Sequence, residues 1–449
     1  MPAEAVQLRY ADVNDDIVRS LVETGPRYYI TLAVAVGVTL LCFFFPWFYQ
    51  LYYGIGASGM NHPAVWGTYL SSFIFWIGLS HSGTLLSCVL LLTQSEWRKA
   101  MYRSAEAMTL FSLVVAATMV AVHLGRPWFI HWALPYPNQM ELWPNFRSPL
   151  LFDVMAIGTY LTGSSIFIYM GSIPDFAAAR DRTSGWRHYM YRLFSLGWRG
   201  TDTEWHRLRW AYTFLAVLII PLAVSVHSIV SWDFALSIVP AMHLTIFAPY
   251  FVVGAIYSGT AGIVTVMFLL RKYMNFGKYI TELHFDNLGK LLLVLSLLWS
   301  YINVLELFTG WYGGASAEVE ALRYKLFGYY APLYWEMILF CAVAPLLCIS
   351  RRFRTSFVPM LILSIAINIG MYTERFLIVC TSLSRKYLPD AWNLFVPSVL
   401  ELSILVGSLS LFCTLFLLFV KIFPSVSMYE VKETLPAPRK GSAQWQTIP

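Results

Sequence analysis

FIFWIGLSHSGTLLSCVLLL, residues 73–92, is a run of 20 residues without a single lysine, arginine, aspartate or glutamate. An apolar helix of about 20 residues is long enough to cross the hydrocarbon core of a bilayer. Comparable runs along the chain give ten candidate spans, near 28–52, 65–92, 106–124, 149–171, 209–230, 246–270, 289–310, 331–350, 356–378 and 394–421. Because backbone polar groups in lipid must be satisfied within each segment, the sequence predicts an all-α polytopic membrane protein.

The composition agrees with a membrane protein and excludes a soluble globular one. Hydrophobic residues make up 58% of the chain and charged residues only 12%, whereas soluble domains carry about 25% charged residues. We expect a ten-helix membrane domain at 28–421, preceded by a polar segment at 1–27. The tail at 422–449 contains four prolines, which predicts an irregular extension that lies on a partner or stays mobile.

The run at 73–92 also indicates an internal repeat. It can be laid over residues 250–270, YFVVGAIYSGTAGIVTVMFLL, so that Ser82-Gly83-Thr84 falls on Ser258-Gly259-Thr260. Both helices are expected to cross the membrane in the same direction, so the repeat is parallel, with its axis along the membrane normal. We therefore predict two four-helix bundles, formed by residues of about 65–230 and 246–378, with the first and last spans at their flanks.

Two interpretations of the repeated Ser-Gly-Thr stretches stay open. Small residues let helix backbones approach closely, which is a purely structural explanation. It does not account for a histidine in the first repeat and a tyrosine in the second, both at mid-depth. The second interpretation is a proton relay through each bundle, for which the candidate residues are His81, Ser82, Thr84, Tyr257 and Glu306.

Lysines and arginines are concentrated in every second connection between the predicted spans. These include Arg98, Lys99, Arg103, Arg180, Arg182, Arg187, Arg192, Arg199, Arg207, Arg209, Arg271, Lys272, Lys278, Arg351, Arg352 and Arg354. By the positive-inside rule these connections and both termini are cytoplasmic. The sequence from His123 to Asp153 then lies at the outer face of the membrane.

Charged side chains near that outer face indicate a polar site. An ionisable group at membrane depth costs roughly 3 kcal/mol on insertion scales, so it usually serves a function. Besides His123, Arg126 and Asp153, the outer halves of the spans contain His227, Asp233, His243, Glu306, Glu336, Glu374, Arg375 and Glu401. Each could be an ordinary rim residue by itself. Together they predict an outward polar site, roofed by Trp128, Trp132, Trp143 and Trp232.

The sequence predicts no metal site, haem or iron–sulfur cluster bound by this chain. Its six cysteines show no C-x-x-C or C-x-x-C-H spacing, and cluster ligation requires grouped thiolates. Haem held between helices requires histidines in matched pairs at similar depth. His81, His123 and His227 are expected at different depths or on separate helices with no repeated spacing, which argues against such a pair.

Several long polar stretches carry a resemblance to a known family. They are HSGTLLSCVLLLTQSEWRKAMYRSAEAMT at 81–109, HLGRPW at 123–128, RSPLLFDV at 147–154, IPDFAAARDR at 173–182 and YTERFLIV at 372–379. Over about residues 26–421 the chain resembles the NrfD/polysulfide-reductase-like membrane subunits, in particular the ActC subunit of bacterial alternative complex III. The resemblance implies ten helices in two four-helix bundles, quinol bound near the outer face, and no redox cofactor in this chain.

The resemblance also implies roles for particular residues. His123 and Asp153 would be the catalytic pair at the quinol hydroxyl, and the quinol-binding residues would be Arg126, Trp128, Asp233, Arg375 and His227. The substrate would be menaquinol or ubiquinol. The implied partners are an iron–sulfur subunit at the periplasmic face, a multihaem cytochrome c, and further membrane subunits including a homologous NrfD-like one, in the bacterial inner membrane. No nucleic acid is implied.

Three functions remain open at this point. The first is the quinol-oxidising subunit of alternative complex III, coupled or not coupled to proton translocation. The second is a proton-coupled transporter, for which broken helices at matching depth in the two repeats would be evidence. The third is a structural anchor that binds partner subunits without a working site.

Overall fold

A computed structural model describes residues 10–62, 64–133 and 149–435. Within these ranges the protein is built from helices and turns, without a β-strand. The α-helices of six or more residues are α1 (Tyr10–Val22), α2 (Pro26–Tyr53), α3 (Gly67–Leu92), α4 (Tyr102–His123), α5 (Pro149–Arg180), α6 (Trp186–Phe194), α7 (Asp202–Ala235), α8 (Phe247–Tyr273), α9 (Glu282–Gly313), α10 (Ser316–Phe327), α11 (Ala331–Ile349), α12 (Phe357–Ser384), α13 (Val399–Ile422) and α14 (Met428–Glu433). Ten of them are long and apolar enough to cross a membrane, the exceptions being α1, α6, α10 and α14. The predicted all-α fold with ten spans is confirmed.

Several helices continue beyond the apolar runs that predict them. The apolar run in α5 ends near residue 171, but the helix continues to Arg180, and α7 begins at Asp202 rather than near 209. The start of α7 is fixed by a capping box, in which the Thr201 hydroxyl accepts a hydrogen bond from the Glu204 N–H. Such a cap satisfies orphan N–H groups and extends the helix past its apolar part.

The helix α11 is interrupted in the middle of the second repeat. A π turn at Leu339–Val343 precedes a tighter 3₁₀ turn that contains Pro345. Proline has no N–H, so it donates nothing to the carbonyl four residues earlier. That carbonyl, of Cys341, accepts hydrogen bonds from the Tyr257 hydroxyl (2.9 Å) and the Ser296 hydroxyl (2.7 Å) on neighbouring helices. The break is therefore satisfied within the bundle.

The first spanning helix, α2, contains the same kind of break. Its π turn at Leu40–Phe44 is followed by Pro46. The carbonyl of Cys42, four residues before that proline, accepts a hydrogen bond from the Ser403 hydroxyl of α13 (3.3 Å). This bond joins the two helices that flank the bundles.

The spanning helices form two four-helix rings. The first bundle consists of α3, α4, α5 and α7, and the second of α8, α9, α11 and α12; in each, successive helices pack side by side and the last closes onto the first. Between the bundles α3 packs against α8, while α7 contacts α8 and α12 contacts α3. The flanking helices α2 and α13 pack on each other, and α13 lies against α4. The predicted arrangement of two bundles with two flanking helices is confirmed.

The glycines of the repeated Ser-Gly-Thr stretches lie at close helix contacts. A Cβ atom on Gly83 would be 2.0 Å from the carbonyl oxygen of Ala105, and one on Gly259 would be 2.1 Å from Cβ of Ser82. Only a residue without a side chain permits these approaches. The packing interpretation therefore explains both glycines.

The two membrane faces differ in charge. One face, the basic end, carries Arg98, Arg187 and Arg351, and the other, the distal end, carries His123 and Asp153. The helices α1 and α14 both lie at the basic end, where they contact each other. The tail was expected to lie on a partner or be mobile, and this was wrong for its described part, because residues 425–431 pack into the first bundle.

Candidate functional site

Two aspartates face each other at the distal end of the first bundle. Asp153 lies near the start of α5 and Asp233 near the end of α7, two helices in contact. Their carboxyl groups are in hydrogen-bonding contact, and Asp153 is only 6% exposed. In the described part of the chain, Oδ1 of each meets no N–H or O–H donor. Two adjacent carboxylates repel unless they share a proton, so this pair is suited to hold and pass on a proton.

His123 is the last residue of α4, at the same end of the first bundle. Its Nδ1 atom is buried and has no hydrogen-bond partner among the described residues. His123 and Asp153 were predicted to act together at the quinol hydroxyl. Within the described ranges no hydrogen bond or ion pair joins them directly, and Asp153 contacts Asp233. Both His123 and the aspartate pair therefore have hydrogen-bonding capacity left for a ligand.

Two further residues predicted to bind quinol follow α4 directly. Gly125 has a φ of +67° and turns the chain, so that Arg126 is exposed and Trp128 is 59% exposed at the surface of the distal end. Neither side chain is enclosed by the helices described. The connection at 134–148, which carries Trp143 of the predicted roof, lies outside the described residues.

Below the aspartates, a pair of histidines occupies the interior of the first bundle. The rings of His81 on α3 and His227 on α7 meet edge to face, with centroids 4.6 Å apart. His81 Nδ1 is 2.5 Å from the carbonyl oxygen of Ile77, and its ring stacks on Tyr160. Its Nε2 atom and both ring nitrogens of His227 have no hydrogen-bond partner in the described structure. The pair therefore has free nitrogen atoms in a buried position.

His81 and His227 were expected at different depths or on separate helices; they lie on separate helices, and the structure brings their rings into contact. The sequence could not show it, because α3 and α7 are far apart along the chain. Within the described residues, no group of three or more histidine, cysteine, aspartate or glutamate side chains could hold a metal ion.

Arg375 reaches from the second bundle into the interface with the first. It pairs with its neighbour Glu374, whose other carboxylate oxygen accepts a hydrogen bond from Trp299 Nε1 (2.6 Å). A Cβ atom on Gly254 would be 2.8 Å from Arg375 Nη2, so the absence of a side chain there makes room for the guanidinium. Arg375 interacts electrostatically with His227. The arginine therefore acts on the polar interior of the first bundle.

The remaining relay candidates of the first bundle lie around the histidine pair. The Thr84 hydroxyl lies beside Tyr160, the tyrosine that stacks on His81. The Ser82 hydroxyl donates to the carbonyl oxygen of Ile256 (3.0 Å) and contacts the Thr260 hydroxyl (3.2 Å), so it faces α8 between the bundles. Thr84 is thus grouped with His81, whereas Ser82 is occupied by a contact between helices.

The candidates of the second bundle are separated from one another and already have partners. The Tyr257 hydroxyl donates to the carbonyl oxygen of Cys341, four residues before Pro345. Glu306 lies at the distal end, in an ion pair with Lys325 of α10 (3.0 Å), and both side chains are nearly inaccessible. The two residues serve different contacts, and neither touches the histidine pair.

Sequence reasoning missed a second polar cluster, at the basic end of the first bundle. Arg103 bonds Asp175 (3.1 Å) and lies 3.9 Å from Glu106, and all three side chains are 1% exposed. Arg98 pairs with Glu430 from the C-terminal segment. The arginines were counted as loop charges because they interrupt the apolar run. The i, i+3 spacing of Arg103 and Glu106 was the available signal.

Comparisons with known proteins agree with this architecture. Residues 56–385 match the family described as polysulphide reductase, NrfD. A putative membrane subunit of the dimethyl sulfoxide reductase of Halobacterium salinarum is 28% identical over 247 residues, which is 55% of this chain and 52% of that protein. The match thus spans about half of that relative. A subunit of the selenate reductase of Mesobacillus selenatarsenatis is 23% identical over 391 residues, covering 83% of this chain and 88% of that protein.

Proposed function

Because this chain belongs to the NrfD polysulphide reductase family, we propose that it binds and oxidises quinol as the membrane subunit of a respiratory oxidoreductase complex. One observation carries the proposal: two adjacent carboxyl groups at the distal end, each with a buried Oδ1 atom that lacks a donor among the described residues. A quinol hydroxyl supplies such a donor. The helix positions of His123 and Asp153 support the same site, since both lie at the same end of adjacent helices.

Oxidation of quinol to quinone releases two electrons and two protons. The first hydroxyl donates its hydrogen bond to the carboxyl pair of Asp153 and Asp233, which takes up the proton as an electron leaves. The Nδ1 atom of His123 accepts from a quinol hydroxyl and is the second proton acceptor. Positioned acids and bases of this kind typically contribute a factor of about 100 to 10,000 to a rate. Arg126 and Trp128 line the entrance to the site at the distal surface. Arg375 acts on the site electrostatically, through His227.

The histidine pair provides a route for protons away from the aspartates. His227 lies six residues before Asp233 on α7, which corresponds to about 9 Å at 1.5 Å per residue. A proton from the aspartate pair would pass to His227 and then to Nε2 of His81. Thr84 and Tyr160 extend the polar contacts toward the basic end. These groups, from the aspartate pair to Tyr160, would decide whether net proton translocation accompanies quinol oxidation.

The electrons leave to a partner subunit. We propose that an iron–sulfur subunit docks at the distal end and receives them, with a multihaem cytochrome c and further membrane subunits, one of them NrfD-like, in the same complex. Alternative complex III fits the sequence resemblance. The named relatives are reductase subunits, in which quinol oxidation would equally be the membrane half-reaction. Menaquinol and ubiquinol both present the two hydroxyls that the site requires.

The distribution of basic residues supports a location in the bacterial inner membrane with the basic end in the cytoplasm. The distal end, and with it the electron acceptor, is then periplasmic. A cysteine introduced in the connection at 134–146 should react with an impermeant thiol reagent from the periplasmic side. One introduced at 183–185 should react only after the membrane is opened, and the reverse pattern would invert this orientation.

The two alternative functions are less well supported. Helix breaks occur in α2 and α11, which do not correspond in the two repeats, and the carbonyls near their prolines accept hydrogen bonds from Ser403, Tyr257 and Ser296. They therefore offer no ion site of the kind that transporters build from broken helices. A purely structural anchor would gain nothing from a buried carboxyl pair without donors, which costs free energy.

The proposal is tested with His123→Ala and Asp153→Asn in the assembled complex. Each variant should abolish quinol oxidation while the complex retains its full set of subunits and cofactors. His243→Ala is the matched control, because His243 lies at the same end but pairs with Glu318 (3.0 Å) outside the site. Quinol analogues should raise the thermal stability of the control and not of the variants. Normal turnover in either variant would remove that residue from the site.

A further inference from the structure

The C-terminal segment closes the basic end of the first bundle. Residues 425–428 have side chains that are at most 1% exposed, and Val431 on α14 is 5% exposed. These residues follow α13 and turn back beneath the bundle, where α14 contacts α5 and the turn before α4. The segment Ser425–Glu433, here called the plug, is therefore part of the protein interior.

One aspartate of the first bundle binds the backbone of the plug. Oδ1 of Asp175 accepts hydrogen bonds from the N–H groups of Met428 (2.9 Å) and Tyr429 (3.3 Å). Its Oδ2 accepts from Arg103 (3.1 Å). The carboxylate thus joins the start of α14 to the arginine inside the bundle.

An ion pair holds the plug from the opposite side. Glu430 of α14 pairs with Arg98, and the two side chains are only 5% and 4% exposed. Burial by itself lowers the pKa of Arg98, but the Glu430 carboxylate together with Tyr212 and Tyr102 raises the pKa above its ordinary value. The arginine therefore stays charged. Removing one partner of a buried pair leaves an uncompensated charge, so this contact is a strong determinant of the closed arrangement.

The plug covers a polar interior that would otherwise admit water. Directly above it, Glu106 Oε1 accepts hydrogen bonds from Ser87 (2.7 Å) and Tyr212 (3.0 Å). Within the described residues, Glu106 Oε2 and the Nε atom of Arg103 have no hydrogen-bond partner. Incompletely satisfied buried charges draw in water wherever a path exists. The plug removes the path from the basic end.

A second layer covers the plug. The amphipathic helix α1 contacts α13, α14 and α5, with Val13, Ile17 and Leu21 fully buried on its inner face. Its polar face reaches both bundles, through Asp15 to Arg182 (3.6 Å) and Asp16 to Lys278 (3.2 Å). These exposed ion pairs contribute little to stability. The apolar face of α1 is therefore what covers the plug.

We propose that the plug is a seal, which prevents protons and water from passing between the solution at the basic end and the polar interior of the first bundle. The proposal of a seal depends only on the contacts of the plug described above. Its consequence for energy conversion rests on the proposed quinol site: while the plug is closed, protons that the histidine pair receives would not pass through the first bundle to the solution at the basic end.

The seal is tested by the passive proton conductance of vesicles that contain the whole complex. Truncation after Phe423 removes the plug, and truncation after Leu435 is the matched control that keeps it. A pH gradient is imposed without quinol, and its decay is followed with an enclosed pH-sensitive dye. Decay should be several-fold faster for truncation after Phe423 than for the control. Equal decay in assembled complexes would overturn the proposal, whatever their quinol activity.

Cysteine variants that keep the plug test the same proposal if the truncated complex fails to assemble. A Ser427→Cys variant should react with a hydrophilic thiol reagent roughly tenfold more slowly than a Glu433→Cys variant, because reaction requires the plug to open. Adding Glu430→Ala should remove most of this protection, and adding Glu430→Gln should remove less. Equal reaction rates at the two positions in the otherwise unchanged protein would show that the plug is not seated, and would overturn the seal.

Discussion

The two bundles share one arrangement of helices but differ in how the buried carboxyl groups of their distal halves are paired. In the second bundle one oxygen of each of two buried glutamates has a donor: Glu306 Oε1 meets Lys325 and Glu374 Oε1 meets Trp299. In the first bundle Asp153 and Asp233 meet each other. A buried carboxyl group without a hydrogen-bond donor costs free energy, so such a group is expected where a ligand or a shared proton supplies the missing hydrogen bond. The difference supports the proposal that the first bundle carries the chemistry and the second bundle has a supporting role.

The strongest test exchanges a carboxyl for an amide in each bundle. Asp233→Asn should lower quinol oxidation by a factor of about 100 or more, because the amide does not take up a proton. Glu306→Gln should leave the rate within a few-fold of the unchanged protein, since the amide oxygen still accepts from Lys325. Steady-state oxidation by the purified complex measures both. Similar losses in the two variants would erase the proposed distinction.

The next test compares the two bundles by stability, and here the larger effect is expected in the second bundle. Lys325→Met leaves Glu306 buried without its cation, which should cost about 3–5 kcal/mol. Asp153→Asn replaces one of two adjacent carboxyl groups by an amide that donates to Asp233, so stability should stay the same or rise. Thermal unfolding of the complex reports both changes. A stable Lys325→Met variant would contradict the supporting role assigned to this pair.

A smaller effect is expected when the histidine pair is interrupted. His81→Leu should leave electron transfer to an artificial acceptor largely intact in uncoupled vesicles, because His81 lies below the proposed quinol site. It should reduce any proton movement beyond the protons released by quinol itself. The proton-to-electron ratio in reconstituted vesicles is the measurement. An unchanged ratio in a well-assembled variant would exclude His81 from a relay and leave it a packing role.

The smallest effect concerns the tyrosine of the second bundle. Tyr257→Phe removes one of two hydroxyl donors to the Cys341 carbonyl, so it should cost about 1 kcal/mol. The proton-to-electron ratio should not change, in contrast to His81→Leu. Combining it with Ser296→Ala should cost more than the two single changes together, since the carbonyl then loses both donors. A changed ratio in Tyr257→Phe would return this residue to the proton path.

Local patterns predicted the spanning helices because each is a long apolar run, which requires no knowledge of the rest of the chain. The short helices α1, α10 and α14 were not predicted, since they carry no such run. The buried arginines at the basic end were assigned to solvent because a charge ends an apolar window. Their partners, Asp175 and Glu430, lie far away in the sequence.

The site was predicted in position but not in its contacts. Depth along each helix correctly placed Asp153 and Asp233 at the same face, because rise per residue is fixed. Which side chain meets which depends on how the helices are rotated and packed, and a single sequence does not contain this information. For that reason the sequence did not predict the contact of Asp153 with Asp233 or that of His81 with His227.

The break in α11 has a consequence for how this protein can change over time. Tyr257 and Ser296 bond a carbonyl to which Pro345 donates no N–H. The effect of losing either hydroxyl therefore depends on the proline. With Pro345→Ala a backbone N–H becomes available to that carbonyl, and Tyr257→Phe would be close to neutral. The effects of substitutions at the three positions are therefore coupled. Loss of either hydroxyl would be tolerated more readily after the proline has been replaced than before.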